Sequence, residues 1–159
     1  MWKEIDVNDI NALEKYTILR NSYGCSVNFT IEKVKFQINR LTDCHLFLYE
    51  DNKFTLMVGF KLNPRTKKII FVGIAMGILK IKDYPIALKL IGNKIREHLI
   101  EKNNVLEMPS SLIFEDLHPN VKKIGFDKII EVVKKAWGEC GLIVDWIKDK
   151  YIRIEVDGN

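Results

Sequence analysis

The longest uninterrupted apolar run constrains the fold of this chain more than any other feature. It covers residues 69–79, eleven residues that include Gly73 and Gly77, and a Lys-Ile-Lys sequence follows it at residues 80–82. A helix that crosses a membrane needs about 20 consecutive apolar residues, so this run is too short to be one. We interpret it as a strand over residues 69–75 that is buried on both faces, followed by its exit.

Two more apolar segments precede this strand, and short turns connect all three. Residues 46–49 and 54–62 are rich in apolar side chains, and Asp51 and Asn52 lie between them. Residues 63–66 read Asn-Pro-Arg-Thr, which favours a turn because proline presets its own backbone angle and asparagine can bond its own backbone. The three segments predict an antiparallel meander.

Three helices are predicted where apolar residues recur at intervals of three and four. The first follows a short strand at residues 1–7, is capped by Asn8 or Asp9, and closes near residues 22–24. The second begins at Asp83 and ends at residues 103–104. The third covers residues 126–137 and stops at Gly138 or Gly141.

The remaining segments are extended or ambiguous. Residues 105–113 are expected to be extended, although Pro109 argues against a regular central strand. Residues 142–146 and 151–156 alternate around residues 148–150 and predict a terminal hairpin. Residues 27–41 fit two strands by alternation and equally fit a helix by the spacing of their apolar residues.

Composition places the chain among globular proteins. Of 159 residues, 47% are hydrophobic, and there are only 4 Pro and 9 Gly, which excludes a disordered or fibrous protein. No linker or repeat divides the chain, so we expect one domain over residues 1–159. The basic residues (25 Lys and Arg against 21 Asp and Glu) are dispersed among acids, so a nucleic-acid partner is not expected.

The cysteines and the amino-terminal segment bear on the compartment. The three cysteines, Cys25, Cys44 and Cys140, are odd in number and far apart, which favours reduced thiols and a cytoplasmic setting. No export signal opens the chain, and no membrane segment is expected.

The predicted order of elements resembles the GNAT-type N-acetyltransferase fold over essentially the whole chain. Trp-Lys-Glu-Ile at residues 2–5, followed by residues 7–13, is similar to the family's opening strand and first helix. Residues 136–142, Ala-Trp-Gly-Glu-Cys-Gly-Leu, are similar to its last helix running into a Gly-aromatic corner. The resemblance implies an α/β (α+β) fold with a mixed, mainly antiparallel central sheet flanked by helices, and it favours a helix at residues 29–42.

The chain departs from the family at the cofactor loop. Family members bind the diphosphate of acetyl-CoA on a loop of the form Gln/Arg-x-x-Gly-x-Gly/Ala, where backbone amides and a helix dipole face the anion. Residues 79–85 occupy that place here, contain no glycine, put Asp83 at the phosphate end and lose an amide at Pro85. Lys80 and Lys82 could compensate for the missing amides only as point charges. The candidate cofactor-binding residues implied by the resemblance are Ala75, Met76, Gly77, Lys80 and Lys82.

Catalytic candidates are few. In this family a base would come from a central strand and an acid from near the last helix or hairpin, but residues 69–75 contain no titratable side chain. The candidates are therefore Glu107 and His118 as base and Tyr151 as acid, with Glu115 and Asp116 as further carboxylates. The alternative interpretation is that these are solvated loop charges and a half-buried strand aromatic.

Other reactive or binding residues have simpler explanations. Cys44 and His45 are adjacent, so on a strand they point to opposite faces and cannot act together; we interpret them as an accident of the strand start. His98 is expected to be a structural histidine beside a buried helix stripe. No metal-binding spacing, catalytic triad or phosphate loop is visible. The tryptophans are expected in the core, with an interface anchor as the alternative: Trp2, Trp137 and Trp146.

Our expectation about function follows from the altered cofactor loop at residues 79–85 rather than from the resemblance to the GNAT-type fold. We expect an accessory or structural-interaction protein, of the kind that phages encode, without normal acetyl-CoA recognition and without a cofactor or metal. Its partner would be another protein or a second copy, in the host cytoplasm or the virion. The alternatives are an active acetyl-CoA-dependent N-acyltransferase with an unconventional pyrophosphate loop, and a protein that contacts a host factor or nucleic acid through Lys128, Lys134 and Lys135.

Overall fold

The computed structural model of the chain describes residues 1–23, 30–39, 42–78, 80–110 and 125–158. A 3₁₀ turn, Ile81–Asp83, precedes the third α-helix. In chain order the strands and α-helices are β1 (Trp2–Ile5), α1 (Ile10–Tyr23), α2 (Ile31–Asn39), β2 (Thr42–Glu50), β3 (Phe54–Leu62), β4 (Ile69–Ile78), α3 (Tyr84–Lys102), β5 (Leu106–Met108), α4 (Phe126–Glu139), β6 (Leu142–Ile147) and β7 (Tyr151–Val156).

These strands form one sheet in the order β1-β2-β3-β4-β5-β7-β6. Every neighbouring pair is antiparallel except β4 and β5, which are parallel. The predicted meander is β2–β4, and the predicted terminal hairpin is β6–β7. The fold is therefore mixed α+β with a mainly antiparallel sheet, as the sequence predicts at this coarser level. No helix among the described residues combines the length and apolarity needed to cross a membrane.

Side-chain oxygens build the turns of the meander. Asp51 Oδ1 accepts hydrogen bonds from the amides of Lys53 and Phe54, at 2.7 and 2.8 Å. Asn63 Oδ1 accepts from the amide of Arg65 at 2.9 Å, as the Asn-Pro turn signal predicts. Because each bond lies within three residues along the chain, these turns are specified locally.

Alternation along the strands divides the core into two layers. Phe47 packs with residues of α3 and α4, whereas its neighbours Leu46 and Leu48 pack with residues of α1 and α2. The first pair of helices and the second pair therefore cover opposite faces of the sheet. Trp137 and Trp146 are buried in the larger layer, and Trp2 is half-buried against Tyr49.

The ambiguous segment is helical over Ile31–Asn39, with Val34 buried against α1 and the sheet. The interpretation as helix is thus confirmed for these residues, but its predicted end at residue 42 is wrong because Thr42 already pairs with Leu62 in β2. Residues 24–29 and 40–41 lie outside the described residues.

Other element ends refine the predictions. Asp9, rather than Asn8, caps α1 by accepting from the amide of Asn11 at 3.0 Å. Gly138 lies inside α4, and Gly141 follows it with a φ of 85°, a left-handed conformation that glycine adopts without strain. Strand β4 continues to Ile78 instead of ending at residue 75, and β5 stops before Pro109.

Candidate functional site

The candidate cofactor residues at the end of β4 are part of the packed sheet. Ala75 and Met76 are buried, Ala75 in the layer under α1 and α2 and Met76 in the layer under α3 and α4. Met76 pairs with Leu56, and Gly77 pairs with Thr55. These side chains therefore contribute to the core, and only their main chain remains to contact a ligand.

Residues 80–83, which lead from β4 into α3, form a tight turn. The amide of Asp83 donates to the carbonyl oxygen of Lys80 at 3.0 Å and closes the 3₁₀ turn. Asp83 is buried and occupies the N-cap of α3 without a side-chain capping bond, and Pro85 lies in the first turn. Lys80 and Lys82 are exposed. A carboxylate thus lies where the helix dipole would attract a phosphate.

Within the part of the chain that the structure describes, strands β4 and β5 are paired over a very short stretch. They share one register position, Ile69 with Leu106. Two residues farther along, the amide of Phe71 donates to Sδ of Met108 at 3.3 Å. A thioether is a weak acceptor, so this amide has a weaker partner than a backbone carbonyl would be. The described residues show no register partners for β4 and β5 beyond this position, and we call the region toward the carboxyl ends of both strands the split. The carboxyl ends of parallel strands are the usual ligand position in open α/β sheets.

A buried guanidinium lies on β4 beside this split. Nη2 of Arg20, from α1, donates to the carbonyl oxygen of Val72 at 3.0 Å, where the pairing of β3 and β4 shifts register. A Cβ added at Gly73 would lie 2.9 Å from Cζ of Arg20. The absence of a side chain at Gly73 therefore lets the guanidinium lie flat on the strand and bind the bulged carbonyl.

Two of the catalytic candidates share one cavity. Glu107 of β5 and Tyr151 of β7 line a hollow of about 310 Å³ between the β3–β4 turn and the β6–β7 turn. His118, Glu115 and Asp116 lie outside the described residues. The tertiary structure thus brings together a carboxylate and a phenol that are far apart in the sequence.

Both groups already have partners. Glu107 Oε2 lies 2.7 Å from Nη1 of Arg153, which faces it across the β5–β7 pair. The hydroxyl of Tyr151 donates to Oδ2 of Asp145 at 2.7 Å, and this hydrogen bond raises the pKa of Tyr151. A phenol with a raised pKa is a poor acid for protonating a thiolate. As arranged, the pair favours a binding surface over proton transfer.

A charged cluster at the start of β2 joins three elements. His45 Nδ1 contacts Oε1 of Glu4 in β1, and its Nε2 lies 2.7 Å from Oδ1 of Asp43. Lys102 of α3 contacts the other oxygen of Asp43 at 3.1 Å. Burial opposes the imidazolium, but the hydrogen bonds to Glu4 and Asp43 raise the pKa of His45. An imidazole donates from both nitrogens only when it is protonated, so His45 acts as a cationic clamp.

A second histidine beside the clamp has the opposite character. His98 of α3 is 3% exposed and stacks on Phe60 with ring centroids 4.4 Å apart. Its ring centroid lies 5.3 Å from that of His45, and its Nδ1 has no hydrogen-bond partner among the described residues. Burial, and after it the positive charge of His45, lowers the pKa of His98 to about 4. At neutral pH His98 is therefore an uncharged aromatic in the core.

The sequence interpretation separated Cys44 from His45 correctly but missed this cluster. Cys44 packs in the layer under α1 and α2, whereas His45 stacks on Phe47 in the opposite layer. One signal was available, because Asp43 and His45 share a strand face, and His98 and Lys102 are four residues apart on one helix face. Among the described residues, no group of three or more His, Cys, Asp or Glu side chains is arranged to hold a metal ion.

A scan against protein-family models, a search of curated proteins and a search of solved structures each found no match.

Proposed function

We propose that the protein is a GNAT-like accessory or structural-interaction protein, of the kind that phages encode, without normal acetyl-CoA recognition. The observed order of elements supports the likeness, since β1, α1, α2, the β2–β4 meander, α3, β5, α4 and the β6–β7 hairpin follow one another as the resemblance expects. It would act in the host cytoplasm or in the virion.

The observation that carries this proposal is the buried carboxylate of Asp83 at the amino terminus of α3. A phosphate oxygen about 4 Å from this carboxylate would be repelled by about 4 kcal/mol at an effective dielectric constant of about 20. Pro85 removes one of the amides that could offset the repulsion. A diphosphate would thus gain little from this helix end.

The interaction part of the proposal is supported by the edge of the sheet at β6. This strand is last in the strand order, and it exposes Ile143 (46%) and Ile147 (41%). The strand has no lysine or proline, and Asp145 is its one charged residue, so its edge has little protection against pairing with another chain. We propose self-association through this edge.

Sedimentation should detect dimers of the wild-type protein. The double variant Ile143→Lys/Ile147→Lys should lose these dimers, whereas the control variant Ile86→Lys should keep them. A wild-type protein that remains a monomer at all concentrations contradicts self-association through β6.

Calorimetric titration with acetyl-CoA tests the cofactor part of the proposal. We expect no binding to the wild-type protein at millimolar acetyl-CoA and no release of free thiol in the presence of amines. Asp83→Asn keeps the shape of the side chain but removes its charge, so it should gain measurable affinity. Asp127→Asn, the same change in the first turn of α4, should not. Micromolar binding by the wild-type protein would refute the proposal.

An active N-acyltransferase is the second candidate, and the split between β4 and β5 favours it. After Ile69 and Leu106 the two strands have no further register partners in the described chain, and the carboxyl ends of parallel strands are a common ligand position. This candidate predicts saturable acetyl-CoA binding by the wild-type protein and thiol release with an amine acceptor, which are the results opposite to those expected above.

A further inference from the structure

The hollow beside Glu107 and Tyr151 has an apolar lining with polar turns at its rim. Ile70 of β4, Met108 of β5 and the adjoining Pro109 contribute apolar surface, and Tyr151 contributes an aromatic ring. Its volume of about 310 Å³ is at the lower end of the range for small-molecule sites. The hollow therefore has the size and the lining for a small ligand with an apolar body.

The acidic and hydroxyl groups of the lining are internally satisfied. Glu107 is ion-paired with Arg153, and the hydroxyl of Tyr151 donates to Asp145. Asn63 uses its side-chain oxygen to hold the β3–β4 turn. A cationic ligand would have to compete with Arg153 for Glu107, so the lining offers it no available carboxylate.

Two lysines lie at the rim of the hollow. Lys68, at the end of the β3–β4 turn, is half-buried, and Lys150, in the β6–β7 turn, is exposed. Neither has a carboxylate within 4.0 Å among the residues that the structure describes. The charged residues that line the hollow are two lysines and one glutamate, so the lining has a formal net charge of +1. A partly enclosed positive site attracts anions more strongly than a flat surface does.

We propose that this hollow binds a small organic anion whose apolar body rests on Ile70, Met108 and Tyr151 and whose anionic group faces Lys68 and Lys150. The apolar lining supplies affinity for the body of the ligand, and the two ammonium groups select its charge. The lining of the hollow contains no residue of the junction at Asp83, so the Asp83 part of the proposed function and this inference can fail independently.

Three probes of similar size test the charge preference. Phenylacetate, phenylacetamide and 2-phenylethylamine share a ring and a short chain but are anionic, neutral and cationic. In an NMR titration with amide-labelled protein, phenylacetate should cause saturable shifts at Ile70, Glu107 and Tyr151. Phenylacetamide should bind more weakly, and 2-phenylethylamine should cause no saturable shift there. Equal binding of all three, or shifts scattered over the surface, would overturn the proposal.

A pair of variants tests the role of the lysines. Lys68→Gln/Lys150→Gln should weaken phenylacetate binding by about fivefold and leave phenylacetamide unchanged. Lys3→Gln/Lys53→Gln lowers the net charge equally at exposed positions outside the hollow and should leave both affinities unchanged. An equal loss in both double variants would mean that only overall charge matters, and the proposed site would be refuted.

Discussion

Replacing His98 with phenylalanine should remove a large part of the acid sensitivity of this protein. His98 is 3% exposed and stacks on Phe60, and no described residue forms a hydrogen bond with its Nδ1. A charged imidazole at this position would be repelled by three basic groups (His45, Lys102 and Lys94), and Asp43 is the one acidic group that acts in the opposite direction. The folded protein therefore holds His98 neutral, whereas the unfolded chain protonates it at an ordinary pKa.

The magnitude follows from the difference between the two states. Burial, followed by the charge of His45, lowers the pKa of His98 from 6.5 to about 4 in the folded protein. Each unit of difference between the two pKa values corresponds to about 1.36 kcal/mol. Protonation of His98 in the unfolded chain therefore lowers the free energy of unfolding by about 3 kcal/mol as the pH falls to 4. Because the folded pKa is depressed, the stability is fully present above pH 6.5 and is lost as the pH falls toward 4.

Chemical denaturation followed by tryptophan fluorescence measures this effect between pH 7.5 and 4. The comparison is the free energy of unfolding of the wild-type protein minus that of His98→Phe, since carboxylates titrate equally in both. The difference should move by about 3 kcal/mol in favour of the variant at the acidic end. Curves that remain parallel over this range would refute the assignment of a neutral, buried His98.

Two further predictions concern the clamp and the strand bulge. His45→Gln should destabilise the protein by about 1 kcal/mol near pH 6 and by less at pH 9. The pKa of His45 is raised in the folded protein, so the stability that the protonated ring contributes disappears as the pH rises through that pKa. Equal losses of stability at pH 6 and pH 9 would contradict a protonated clamp. Gly73→Ala should cost about 1–3 kcal/mol, since its Cβ would lie 2.9 Å from Cζ of Arg20. Gly138→Ala is the control: it meets nothing within 4 Å inside α4 and should stabilise by about 0.5–1 kcal/mol in thermal or urea unfolding. Equal effects of the two alanines would refute the packing argument.

Much of the fold was predictable because its signals are local. The caps and turns at Asp9, Asp51 and Asn63 each depend on bonds within three residues. The meander follows from apolar strands joined by short turns, and α4 follows from apolar residues at helical spacing. Each pattern states which side chains are buried before any partner is known.

The candidate sites were less predictable, because their contacts are distant in the chain. Glu4 meets His45 across 41 residues, and Glu107 meets Arg153 across 46. The sequence named Glu107 and Tyr151 as candidates, but it could not show that Arg153 and Asp145 already occupy them. It also named Asp83 as an obstacle at the helix end without showing that the carboxylate is buried there.

The sequence by itself determined the alternation of apolar side chains and the turns, since these depend on neighbours a few residues away. The lack of glycine between β4 and α3 is likewise read directly from the sequence. Only the tertiary structure decided that β4 and β5 have one register position in common and that two lysines border an apolar hollow. The same is true of the uncharged His98 beside a charged His45. Those features arise where separate strands and helices meet, and the electrostatic environment of a side chain depends on which distant groups the packed chain brings beside it.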